Sequence, residues 1–157
     1  MKSVGKALAY GLIFALFAGV LALMAAVRLA PSDPSVWHVA IADPADPQPG
    51  PCVDQIKLVA KGARATCLLS ADPVTALTTL NTTALATPRT TLLAGTAQAR
   101  RITWISRSRL MGYPDYITAE ARPTPLGTRL DIFSRQRFGT GDQGVNAARL
   151  RDWLGAL

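Results

Sequence analysis

The chain has 157 residues, a formal net charge of +7, two cysteines and a single histidine. That length holds one domain rather than two. A lone imidazole (His38) and two cysteines without zinc spacing exclude a Cys/His zinc site and a Ser-His-Asp triad, and the sequence has no G-x-S-x-G elbow and no phosphate loop.

Ala7 to Val27 is a run of 21 residues without a charge or a proline. As a helix it would reach roughly 30 Å, the thickness of a bilayer's hydrocarbon core. A cleaved signal peptide has a shorter apolar region that ends at a small-residue site. Here Leu23–Arg28 offers a poor site and no lipobox cysteine follows, so the anchor is expected to be retained. Lys2, Lys6 and the amino terminus precede the run, whereas Arg28 alone follows closely, trailed by Asp33. The positive-inside tendency then puts the N-terminus in the cytoplasm and the domain outside. The expectation is a single-pass protein of a bacterial inner membrane with a periplasmic domain, whose first partner is the lipid bilayer.

Within the anchor Ala7, Gly11, Ala15 and Gly19 form a stripe of small side chains. Another helix could approach closely there, from a membrane-protein partner or a second copy of the chain. The same spacing also arises by chance in an alanine-rich segment. From Arg89 onward every basic residue is an arginine, and these outnumber the acids, so most of the positive charge lies in that half. Such a domain suits anionic lipid or an acidic protein surface; nucleic acid is not expected on the outer side of the membrane.

Six of the eleven prolines fall between Pro31 and Pro51. Residues 31–50 therefore read as an extended, semi-rigid linker that stands the domain off the bilayer. Ser35–Ile41 interrupts it as a short strand-like segment, with Trp37 either at the membrane interface or packed on the domain. The division is anchor 1–30, linker 31–50 and domain 51–157. Cys52 and Cys67 bracket about 15 residues. They either pair, as an oxidising compartment permits, or serve as small buried apolar residues.

In the domain, Ile56–Leu69 reads as a strand pair or one ragged strand. Asp72-Pro73 supplies a cap and a first-turn proline for a helix over 74–85. Strands are expected at Thr90–Thr96, Arg101–Leu110, Tyr116–Arg122 and Thr128–Phe133, the last two joined by a turn around Pro123–Gly127. Val145–Leu157 closes the chain as an amphipathic helix. The fold class is α+β: an N-terminal transmembrane helix, then a small antiparallel sheet covered by helices.

Two stretches, Trp104–Tyr116 and Ile132–Arg149, are distinctive. Arg107, Ser108, Leu110, Gly112 and Asp115 fit an R-S-x-L-x-G-x-x-D segment, and Ser134, Arg137, Gly139, Asp142, Gly144, Asn146 and Arg149 fit S-x-x-R-x-G-x-x-D-x-G-x-N-x-x-R. With these motifs the chain resembles the family of domains of unknown function numbered 1499. The opening Arg28–Pro34 with Trp37-His38 looks like its membrane-anchored alphaproteobacterial members. A departure is Thr140-Gly141, where many members carry an aromatic residue and a serine. The resemblance implies a fold and a compartment, but no activity.

Asp115 and Asp142 are the candidate paired carboxylates. As structural groups, Asp115 suits a turn and Asp142 a helix cap, and both are expected to accept hydrogen bonds from Arg107 or Arg137. Alternation puts Arg101, Thr103, Ile105, Arg107 and Arg109 on one face of their strand. With Arg135 and Arg137 they would gather guanidinium groups at one end of the sheet, suited to a carboxylate or phosphate; the alternative is a solvated basic surface. The candidate ligand-binding residues are Arg107, Arg109, Asp115, Arg135, Arg137, Asp142 and Asn146. No catalytic residue, metal or cofactor is expected. The function expected first is a non-enzymatic accessory or interaction subunit of an inner-membrane complex. The alternatives are a binding domain for an anionic lipid or envelope metabolite and, more distantly, an enzyme using the two aspartates.

Overall fold

A computed structural model describes residues 2–42 and 46–157, with the side chains of 2–4 left aside. Pro44 of the proline-rich stretch lies outside the described residues. Helix α1 runs Lys2–Leu29 and is long and apolar enough over Gly5–Leu29 to cross a membrane. Its side chains are almost all exposed, so it is not a core helix of the domain.

Six strands make one antiparallel sheet: β1 (Lys57–Val59), β2 (Gly62–Leu69), β3 (Thr90–Thr96), β4 (Arg101–Arg107), β5 (Pro114–Thr124) and β6 (Gly127–Gln136). Their order in space is β1-β2-β6-β5-β4-β3. The segment 56–69 is therefore a strand pair. The β5–β6 hairpin is longer than the sequence suggests. β4 stops at Arg107 instead of Leu110, because Ser108 and Tyr113 exchange bonds across a tight loop: Ser108 N–H to the Tyr113 carbonyl, and Tyr113 N–H to Ser108 Oγ, each 3.0 Å. Gly112 provides the loop's left-handed residue at φ +74°.

Helices α3 (Pro73–Ala86) and α4 (Val145–Leu154) cover one face. Asp72 caps α3 by accepting the Val74 and Thr75 N–H groups. The Thr78, Thr82 and Thr83 hydroxyls of α3 turn back onto carbonyls four residues earlier, which satisfies them inside the helix. Beneath lie Ala65, Ile102, Ile117, Leu130 and Ile132 from the sheet, with Leu77, Leu80 and Leu150 from the helices. Trp104 and Trp153 meet edge to face at 5.4 Å. Their indole N–H groups reach Asn81 Oδ1 and Thr87 Oγ1, so both large residues are buried with their polar atoms satisfied. A 3₁₀ turn, Cys52–Gln55, is fixed to β2 by a disulfide between Cys52 and Cys67.

The other face departs from the sequence reading. Residues 31–42 are not a free extended segment; they lie across the sheet as a strap. The expected strand-like segment at 35–41 begins as a one-turn helix, α2 (Pro34–Trp37), because Asp33 caps it and Pro34 presets its first φ. Trp37 stacks on Tyr116, Ser32 Oγ meets the Tyr116 hydroxyl at 2.7 Å, and His38 Nδ1 lies 2.9 Å from Thr103 Oγ1. Farther along, Ile41 N–H donates to Glu120, and Arg64 donates to the Ala42 carbonyl. Trp37 thus packs on the domain. On the arginine-bearing face of β4, Thr103 and Ile105 are buried, while Arg101 and Arg107 are half-buried.

Candidate functional site

The two distinctive stretches meet at one end of the sheet. There β4 ends, β5 begins, β6 ends and α4 begins, which brings residues 107–115 beside 134–149. Between them is an open cleft of about 320 Å³, lined mainly by apolar surface from Tyr113, Phe138 and Val145. Ser108, Asp115, Gln136 and Asp142 supply its polar groups.

Register decides which candidates belong to it. Asp115 pairs with Gln136 and Ile117 with Ser134, so these side chains share the helix-covered face. From α4, Arg149 reaches down to this row. Its Nη2 donates to Asp115 Oδ2 at 3.0 Å, and its Nη1 donates to Ser134 Oγ at 3.1 Å and to Asn146 Oδ1 at 2.6 Å. Ser134 Oγ also donates to Asn146 Oδ1. Burial raises the Asp115 carboxyl above its ordinary pKa; Arg149 opposes the shift and nearby Asp142 adds to it. Two amide nitrogens in this layer have no partner: Asn146 Nδ2 and Gln136 Nε2, the latter on a side chain that is 7% exposed.

Asp142 serves the backbone. Its oxygens accept the Gly144 N–H at 3.1 Å and the Asn146 N–H at 2.9 Å, closing the first turn of α4. Burial acts to raise its pKa, but these hydrogen bonds outweigh it and hold the carboxyl below the usual range. The expected bonds from Arg107 and Arg137 to the aspartates are not formed. Arg107 donates to the Gly112 carbonyl within its own loop. Arg137 donates to the Pro31 carbonyl and the Tyr116 hydroxyl.

Arg135 and Arg137 are one residue out of phase with Ser134 and Gln136, so they point to the strap-covered face. Arg135 donates to the Trp37 carbonyl, and both guanidinium groups lie over the Trp37 ring, at 5.4 and 5.9 Å. Burial lowers the Arg135 pKa, and its Nε has no partner. Arg109 is exposed on the 108–113 loop with no partner among the described residues. Of the seven candidates, the structure thus joins Asp115 and Asn146 through Arg149, sets Asp142 beside them and assigns Arg135 and Arg137 to the strap.

Sequence reasoning left Ser134, Gln136, Arg149, Tyr113 and Phe138 out of the site. Asn146 and Arg149 are three apart on one helix face, which was the available signal for Arg149. A second cleft of about 370 Å³, near the disulfide, is lined by no ionisable side chain. Among the described residues no group of three or more His, Cys, Asp or Glu is placed to hold a metal ion.

The model of the family described as Protein of unknown function (DUF1499) matches residues 43–157. The chain belongs to the DUF1499 family. No curated protein matches it. The DUF1499 match takes in the whole sheet, α3, α4 and both sides of the cleft. It begins after α1 and after the strap.

Proposed function

We propose that this DUF1499 protein is a non-enzymatic, membrane-anchored periplasmic protein. Its cleft binds a small amphipathic ligand, a lipid or envelope metabolite whose polar head accepts a hydrogen bond. The observation that carries the reading is the cleft's composition. Apolar walls end on a buried amide N–H of Gln136 that no protein atom satisfies, beside the Asp115–Arg149 pair. A buried donor without an acceptor is costly, and a ligand oxygen would satisfy it. The two aspartates support binding over catalysis, because one is held by Arg149 and the other by backbone N–H groups.

Native mass spectrometry of the full chain, purified in mild detergent, tests this directly. A retained small molecule should be lost in Gln136→Leu, which removes the donor at similar volume. It should also be lost in Gly141→Phe, which fills open space without left-handed backbone strain. Retention in both variants, or an empty wild-type protein, counts against the reading. The Cys52–Cys67 disulfide supports the periplasmic side, since such bonds persist in oxidising compartments. Trapping of free thiols in intact cells should find both cysteines blocked.

A second reading, attachment to a larger inner-membrane complex or to a second copy, draws support from α1. Added side chains at Gly11 and Gly19 would meet open space, so the Ala7–Gly11–Ala15–Gly19 stripe is free for close helix approach. Gly11→Leu with Gly19→Leu should release a copurifying partner or dimer without preventing insertion. Survival of the association would make the stripe accidental.

A further inference from the structure

The end of the sheet that holds the cleft is also the end tied to α1. Arg28, in the last turn of that helix, donates from Nη2 to the Leu110 carbonyl at 2.8 Å. Gly112 is packed so closely on Arg28 that a Cβ there would lie 2.7 Å from Arg28 Cγ. Immediately after the helix, Arg137 holds the Pro31 carbonyl and Tyr116 holds Ser32. Three attachments over five residues fix this end of the sheet, and through Arg28 the 108–113 loop, at the level where the apolar helix ends.

That loop presents Arg109, Leu110 and Met111. Leu110 is 74% exposed, although it is a leucine at the tip of a tight turn held by internal hydrogen bonds. Arg109 has no partner among the described residues, and Arg28 and Arg107 flank it. An exposed apolar tip with a basic collar fits a bilayer interface, where leucine enters the acyl boundary and guanidinium groups meet phosphates. Ser108 and Tyr113, which close the loop, also line the cleft.

We propose that the Arg109–Leu110–Met111 turn sits in the headgroup layer of the bilayer that α1 spans, engaging anionic phospholipid, so that the cleft opens beside the membrane surface. The proposal rests on the membrane-anchored reading and adds to it an orientation and a lipid partner. It makes the bilayer itself the immediate source of the cleft's ligand.

The test places an environment-sensitive fluorophore on single cysteines in the full chain, reconstituted in phosphatidylcholine–phosphatidylglycerol bilayers. The native cysteines are joined to each other and stay unlabelled. Three positions are compared: Leu110; Phe14, in the middle of α1; and Leu126, which is 81% exposed at the far end of the β5–β6 hairpin. At about 3.3 Å per residue, β5 sets that far end roughly 30 Å from the cleft. A headgroup-depth nitroxide lipid should quench Leu110, a deep nitroxide should quench Phe14, and neither should quench Leu126. Replacing phosphatidylglycerol by phosphatidylcholine should weaken the quenching at Leu110. A quenched Phe14 with an unquenched, water-exposed Leu110 overturns this proposal and leaves the anchor intact. An unquenched Phe14 overturns the anchor reading, and this proposal with it. Equal quenching at Leu110 and Leu126 overturns the orientation.

Discussion

Trp37 lies flat on Tyr116, with ring centroids 3.8 Å apart and planes 7° from parallel. The contact joins residues 79 positions apart in the chain and turns a proline-rich spacer into a strap across the sheet. Arg135 and Arg137 sit over the same indole, so it is held by a ring on one side and two cations. Replacing Trp37 by alanine removes a stacked pair and two cation–π contacts, worth together about 1–3 kcal/mol. The full chain in mild detergent should be destabilised by that amount, melt at a lower temperature and be cut by protease between Pro31 and Ala42. Trp37→Phe should recover most of the loss. Unchanged melting and unchanged protection in Trp37→Ala would mean that the strap is not held by this stack.

The strap also carries a titratable group. Burial holds the His38 pKa below its ordinary 6.5, Arg101 pushes the same way, and Glu120 opposes them. The folded chain therefore binds this proton less readily than the unfolded one. The stability His38 contributes is complete above pH 6.5 and is lost as the pH falls from that value toward the folded pKa. Lowering the pH from about 8 to about 5 should reduce the melting temperature, and His38→Gln should flatten that decline. A variant with the same pH profile as wild type would remove His38 from the account.

Asp142 separates a cap from an ion pair. The Gly144 and Asn146 N–H groups use different Asp142 oxygens, so Asp142→Asn keeps an acceptor for only one of them and should cost about 1 kcal/mol. Asp142→Ala leaves both without a partner and should cost about 2–3 kcal/mol. Because Arg137 turns to Pro31 and Tyr116, the Arg137→Ala and Asp142→Ala losses should add within about 0.5 kcal/mol. A larger coupling in the double-mutant cycle would restore the ion pair that the geometry denies.

How far the fold was legible depends on the residues involved. Helix α3 was readable because Asp72-Pro73 names its start. β4, β5 and β6 were readable through the alternation around Trp104, Ile117 and Leu130. Helix α2 was not, since one turn leaves no period and its Asp33-Pro34 cap is hidden among other prolines. The strap was illegible for another reason. Thr103, Thr118, Glu120 and Arg135 make the face beneath it polar, and a polar face of an antiparallel sheet ordinarily faces water. Asp115 was recognised as a site residue, but its partner Arg149 stands 34 positions away, and no local spacing links them. Gln136 drew no attention because an amide without a partner becomes visible only once its surroundings are known.

The Asp115–Arg149 pair gives the sharpest test of the cleft floor. The two side chains are only 16% and 11% exposed, so each depends on the other to offset its loss of water. Arg149→Leu leaves a buried carboxylate alone and also strips a donor from Ser134 and Asn146; about 3 kcal/mol or more should be lost at neutral pH. Asp115→Asn should cost less, about 1–2 kcal/mol, because Arg149 keeps Ser134 Oγ and Asn146 Oδ1 as acceptors. The sign of the pH dependence follows from the raised pKa of Asp115. A carboxyl whose folded pKa lies above 3.8 favours folding when protonated, and that contribution fades as the pH rises through the folded value. Removing Arg149 moves the folded value higher still, so the deficit of Arg149→Leu should be greatest near neutrality and shrink on acidification. Adding Asp115→Asn to Arg149→Leu should then restore stability at neutral pH, since no buried charge is left. Thermal unfolding of the four proteins across that pH range decides it. A double variant less stable than Arg149→Leu alone would show that Arg149 acts on Ser134 and Asn146 and that its bond to Asp115 is incidental.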